Sequence, residues 1–142
     1  MTDPNWSGVD LQARLAVLGL SQREFGALMR PPVSQPAVSA WCLGTRRPKD
    51  PAQVATRLAE IQVLFLDLLG EIDETVEHSS AVRGTPEVTV RVYHTDAAYW
   101  VADKGAAQRG IPAGMHRAAS ALAAILANAD YGAVVCLVSG DQ

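Results

Sequence analysis

Cysteine is all but missing from this chain. Cys42 and Cys136 are the only two in 142 residues, and their separation matches no metal-binding or redox spacing. The expectation is two small apolar fillers in a reduced, cytoplasmic protein. Long apolar runs are missing as well. No stretch reaches the roughly eighteen apolar residues that a membrane-spanning helix needs, so no membrane partner is expected. The opening MTDPNWSGVD has neither a basic start nor an apolar core, and does not read as a signal peptide. There is no internal repeat and no low-complexity tail. His94 and His116 stand near Asp96 and Asp103 in sequence but in no triad or metal spacing. They read as surface or hydrogen-bonded histidines. An enzyme, a metal or a cofactor is therefore not expected.

What is present is a globular composition. The chain is 49% hydrophobic and 19% charged, apolar enough to build a core, and heavy use of alanine favours helix. Its length suits one domain or two small ones. The net charge of -3 is unevenly placed. Residues 1–49 hold six Arg or Lys against three Asp or Glu, a net +3. The remainder holds six against twelve, a net -6. A basic N-terminal part joined to an acidic remainder suits an anionic partner bound at one end.

The N-terminal third reads as three short helices. Ser7 caps a helix over 7–18 with Leu11, Leu15 and Leu18 on one face, and Gly19 ends it. Ser21 and Glu24 form a capping box for helix 22–29, which turns Phe25, Leu28 and Met29 inward. Pro31 and Pro32 force a break. Ser34 then caps a helix over about 35–42, with Val38 and Trp41 inward and Gly44 after its end. A small residue, Gly26, stands where the third helix must cross the second, and Val33 can anchor the hinge. The outward face of the third helix carries Ser34, Gln35 and Ser39. Glutamine can pair bidentately with adenine in the major groove, and helix N-termini with serine hydroxyls can hold phosphate oxygens.

LGLSQREFGALM followed by VSQPAVSAWCLGTRRP resembles the Cro/cI-type (XRE-like) helix-turn-helix repressor family. Leu18, Leu20, Ser21, Gln22, Phe25, Val33, Ser34, Val38, Ser39, Trp41, Gly44, Arg46 and Pro48 fit that family's pattern, over roughly residues 11–49. The resemblance implies base reading by Gln35, Ala37, Ser39 and Ala40. It implies backbone contacts from Gln22, Ser34, Arg46, Arg47 and Lys49. Its implied partner is double-stranded DNA. The hinge RPPV is two residues longer than the family's usual turn, Pro36 sits early in the recognition helix, and Cys42 replaces a common glutamate.

Beyond this, Asp50-Pro51 starts a long helix, expected to run to about residue 78. Val54, Leu58, Ile61, Phe65, Leu68, Ile72 and Val76 make a stripe close to a helix–helix seam. HSSAVRGTPE, residues 78–87, reads as a linker, and VTVRVYH, residues 88–94, as a strand. Thr95 caps a short helix over 96–102, and 103–111 reads as loop. A helix from Pro112 to about 127 carries Met115, Ala119, Leu122, Ile125 and Leu126 on or near one face, and AVVCLV, residues 133–138, is a buried-type strand. The fold class expected is thus mainly α with a small α/β C-terminal part. The chain divides into a helix-turn-helix bundle over 1–49, a long helix over 50–78, and a β-α-α-β dimerisation domain over 79–142.

RVYHTDAAYW with GIPAGMHRAASALAAIL is similar to the tail of YdiL-like and anti-CRISPR-associated helix-turn-helix regulators. That likeness implies a phage or mobile-element regulator that represses its own operon as a homodimer. Leu58, Ile61, Phe65, Leu68 and Ile72 of the long helix, with Val90, Tyr93 and Trp100, are the expected dimer interface. Tyr93, Tyr99 and Trp100 suit the core or that interface better than a stacking platform for RNA. The function expected is a sequence-specific, autoregulatory DNA-binding repressor in the bacterial nucleoid. The alternative is an antitoxin-type protein whose C-terminal domain neutralises a toxin-like protein.

Overall fold

The structure, a computed structural model, describes residues 6–83 and 87–141. It is mainly helical with a small two-stranded sheet near its C-terminus, the fold class expected. Contacts divide the chain into two compact units, Met1–Val63 and Leu64–Gln142. The division falls inside one continuous helix.

Unit one contains α1 (Gly8–Leu18), α2 (Gln22–Leu28), α3 (Gln35–Leu43) and the first turns of α4 (Pro51–Arg83). Their starts follow from the serines. Ser7, Ser21 and Ser34 each accept a backbone N–H three residues on. At Ser21 the capping box is complete, because Glu24 accepts the Ser21 N–H in return. Each such cap stabilises its helix by about 1 kcal/mol. The core comes from the spacing. Leu11, Leu15 and Leu18 of α1, Phe25 of α2, and Val38 and Trp41 of α3 are buried together with Leu20 and Met29. Val54, Leu58 and Ile61 of α4 are buried as well.

Two close approaches fix this packing. A Cβ on Gly26 would run into the Val33 carbonyl, and one on Gly8 into the carbonyls of Trp41 and Cys42. Only glycine lets the backbones meet there.

Unit two contains the rest of α4, β1 (Glu87–Val92), α5 (Asp96–Ala102), α6 (Lys104–Arg109), α7 (Ala113–Tyr131) and β2 (Val134–Ser139). β1 and β2 pair in parallel, Glu87 with Val134 through Val92 with Ser139. A parallel pair needs a long crossover, and the three helices between the strands supply it. α7 packs on the sheet through a face of small residues, Ala119, Ala123 and Ala127, one turn apart and fully buried. Side-chain bonds close the crossover. Asp96 accepts the Ala113 N–H at 2.7 Å, and the Trp100 indole donates to the Ile111 carbonyl at 2.8 Å.

β2 is not the buried-type strand expected, since none of its residues from Val134 to Ser139 is buried, and Cys136 on it is exposed rather than an apolar filler. Four further expectations are corrected. The stretch from 78 is not a linker at its start, since α4 runs on to Arg83. Its polar residues are tolerated on a helix. Gly84, Thr85 and Pro86 lie outside the described residues. The stretch from 103 is not all loop. Asp103 caps α6 by accepting the Ala106 N–H at 3.0 Å, and Gly110 ends it in the left-handed region at φ 66°. Gly105, within the stretch expected to be loop, lies in the first turn of α6. Third, Ile125 is not on the inward face of α7. It is 65% exposed, because the alanines allow the closest approach and so set which face turns in.

The fourth concerns the expected seam. Leu58, Ile61, Phe65, Leu68 and Ile72 are already buried in a single chain. Val90, Tyr93 and Trp100 are half-buried, Tyr93 stacked on Tyr99 with ring centres 5.6 Å apart. Within each unit these residues are drawn into the packing of the single chain, Leu58 and Ile61 in unit one and the others in unit two. Among the described residues, the large apolar residues that α4 leaves exposed are Val63 and Leu66.

Candidate nucleic-acid interface

α2 and α3 are joined by residues 29–34, in which the Arg30–Pro31 peptide is cis. The longer hinge still folds back onto α2, since Val33 donates its N–H to the Gly26 carbonyl at 2.9 Å. The end of α2 has no glycine cap, and side chains from α4 serve in its place. Arg57 donates to the Leu28 carbonyl at 2.6 Å and Gln53 to the Arg30 carbonyl at 2.7 Å. A helix C-terminus needs such donors, and a cationic one suits its partial negative charge.

This frame presents the N-terminal end of α3. Gln35 is exposed, and its amide donates to the Gln22 side-chain oxygen at 3.3 Å. Gln22 is half-buried and also touches the Cys42 thiol. Burial pushes the Cys42 thiol above its ordinary pKa, against the opposite pull of its bond with Gln22, so it stays protonated at neutral pH. Cys42 is thus a neutral hydrogen-bonding contact of Gln22. Ser34 is exposed, with its hydroxyl engaged by the Ala37 N–H at 3.4 Å.

The other expected base readers are less open. Ala37, Ser39 and Ala40 are half-buried. Ala37 lines a groove of about 320 Å3 together with Met29, Val33, Trp41, Arg46, Arg47 and Lys49. Ala40 has a second use through its backbone. Its carbonyl accepts the N–H groups of Thr45 at 3.1 Å and Arg46 at 3.3 Å and the Thr45 hydroxyl at 3.4 Å. Gly44, at φ 77°, makes that turn possible. The basic tail is therefore held against the end of α3, with Arg46, Arg47 and Lys49 all exposed.

Sequence reasoning missed three contributors. Leu43 is 73% exposed and stands one turn beyond Ser39, on the stripe that begins at Gln35. Its helical phase was the available signal. Gln53 and Arg57 reach back 23 and 29 residues, and no local pattern announces that.

The aromatic residues of unit two gather elsewhere. His116 lies against Tyr99, ring centres 4.5 Å apart, and burial lowers the pKa of His116. Asp103 acts in the opposite direction and Arg117 in the same one. The Tyr99 hydroxyl, His116 Nδ1 and Ser120 Oγ are buried without a hydrogen-bond partner. His94 is exposed, and its backbone N–H is held by the Asp141 carboxylate. Among the described residues, no three His, Cys, Asp or Glu side chains are grouped to hold a metal ion, and no helix is long and apolar enough to cross a membrane.

No family model and no curated protein matches this chain.

Proposed function

We propose that this chain is a sequence-specific, DNA-binding repressor of the helix-turn-helix kind, acting as a homodimer on an inverted repeat. The reading is supported above all by one arrangement. An exposed glutamine, steadied by a second glutamine, opens a helix whose far end holds three exposed cations. In a major groove, Gln35 offers the paired donor and acceptor that adenine matches, while Ser34 and the Arg46–Lys49 tail meet phosphates.

The mechanism is steric. Two copies place their α3 helices in successive major grooves, about 34–36 Å apart or at another spacing set by the dimer. A site overlapping a promoter then excludes RNA polymerase. Phosphate contacts supply most of the affinity and the α3 face supplies the choice of sequence. The chain's own operon is the expected target.

Fluorescence anisotropy with DNA from upstream of the chain's own gene tests this, with a shuffled duplex as control near physiological salt. The expected result is tight binding to the native duplex alone, at two protomers per site. Weak and equal binding to both duplexes counts against an autoregulatory repressor.

A further inference from the structure

The sheet of unit two is unfinished on one side. Parallel strands are ordinarily covered on both faces, and two strands alone are marginal in water. Here β1 and β2 are the whole sheet among the described residues. Val88 is buried, which sets the parity of both strands. The opposite, outer face then carries Glu87, Thr89 and Arg91 of β1 beside Val134, Cys136 and Val138 of β2.

The two strands are not equally open. β1 shares a cleft with Leu68, Glu71, Ile72 and Thr75 of α4, and its outer face bears the charges of Glu87 and Arg91. Charges of this kind are how natural sheets discourage pairing at an edge. β2, with the sequence VVCLVS, has no charge and no proline. Val134 is 53% exposed and Cys136 is exposed at mid-strand. β1 is its one strand partner among the described residues. The N–H and C=O groups along such an edge are left to water unless another strand pairs with them. A second β2 fits because an uncharged strand opposes its own copy without like-charge repulsion.

We propose that β2 is the dimer strand: it pairs antiparallel with β2 of a second copy across a two-fold axis, joining two sheets into one of four strands. This rests on the DNA-binding reading, which asks for a two-fold dimer, and names the surface that forms it. Parity limits the register. Directly opposed residues of an antiparallel pair lie on one face, so an outer residue must oppose an outer residue. Two registers satisfy this while pairing most of the strand. In one, Cys136 opposes its own copy and Val134 opposes Val138. In the other, Leu137 opposes its own copy and Cys136 opposes Val138. The two Cys136 Cβ atoms are then about 5 Å apart in the first and about 7–8 Å apart, on the diagonal, in the second.

The test is cross-linking of the full, reduced chain with a short bismaleimide, alongside its mass by light scattering. The expected result is a two-chain mass and a covalent dimer that is lost in Cys136→Ser. Cys136→Glu places two carboxylates at the junction and is expected to shift the mass to one chain. Cys136 is exposed in the single chain, so its thermal melt should persist. Three outcomes overturn the proposal. A two-chain mass that survives Cys136→Glu moves the dimer to another surface and leaves the DNA reading intact. So does a cross-link that forms only when Thr89→Cys is introduced into Cys136→Ser, which places the junction on β1. A one-chain mass for the wild-type chain, bound one protomer per duplex, removes the dimer altogether.

Discussion

Gln35 and Arg46 both face solvent at the α3 end of unit one, yet different chemistry is expected of them. Gln35→Ala should cost on the order of 1–3 kcal/mol at one base pair and relax the preference there. Arg46→Ala should weaken every duplex alike and lower the salt slope by about one unit. Anisotropy titrations on operator and shuffled duplexes at several salt concentrations separate the two. Equal losses on both duplexes for both variants would sink this division. His116 makes a different kind of prediction. Its pKa is lowered by burial, so the folded chain resists a proton that the unfolded chain accepts near pH 6.5. The stability it allows is complete above that pH and is lost as pH falls toward the folded value. Thermal melts from pH 7.5 to 5.5 should show a loss in the wild type that is smaller in His116→Gln.

At the scale of elements, the sharpest test is the crossing of α2 and the hinge. Gly26→Ala puts a methyl group into a backbone carbonyl, which cannot swing aside as a side chain would. The overpacking cost of about 1–3 kcal/mol should appear as a lower denaturant midpoint and as lost DNA binding. Gly70→Ala, where a Cβ meets open space within the helix, should not lower it. These elements also show what the sequence makes legible. α1, α2 and α3 could be read because each announces itself with a serine cap and ends at a glycine or at the proline-rich hinge. α5 could be read from Thr95, which accepts the Ala98 N–H as expected. α6 and the end of α4 were missed where glycine or serine looked like a break but sat on a tolerant turn. On α7, weight given to large side chains hid the alanine face that sets the packing. At the candidate interface, Gln35 and the basic tail were legible from the order of residue types. The hold of Gln53 and Arg57 on the end of α2 was not, because it is made only after the chain has folded back.

Over the whole molecule, the net charge of -3 opposes DNA while residues 1–49 favour it. Association should therefore fall steeply with added salt, as counterion release at the basic end weakens. The way α4 secures α2 has a practical meaning for anyone wishing to move the three short helices onto another scaffold. The family-like pattern stops near residue 49, but a piece cut there would lose the donors to the Leu28 and Arg30 carbonyls and the buried Val54, Leu58 and Ile61. Circular dichroism of the two pieces should show 1–49 largely unfolded and 1–63 helical with a cooperative melt. The portable part is longer than the recognisable part, and its last turns are borrowed from a helix that continues into the neighbouring unit.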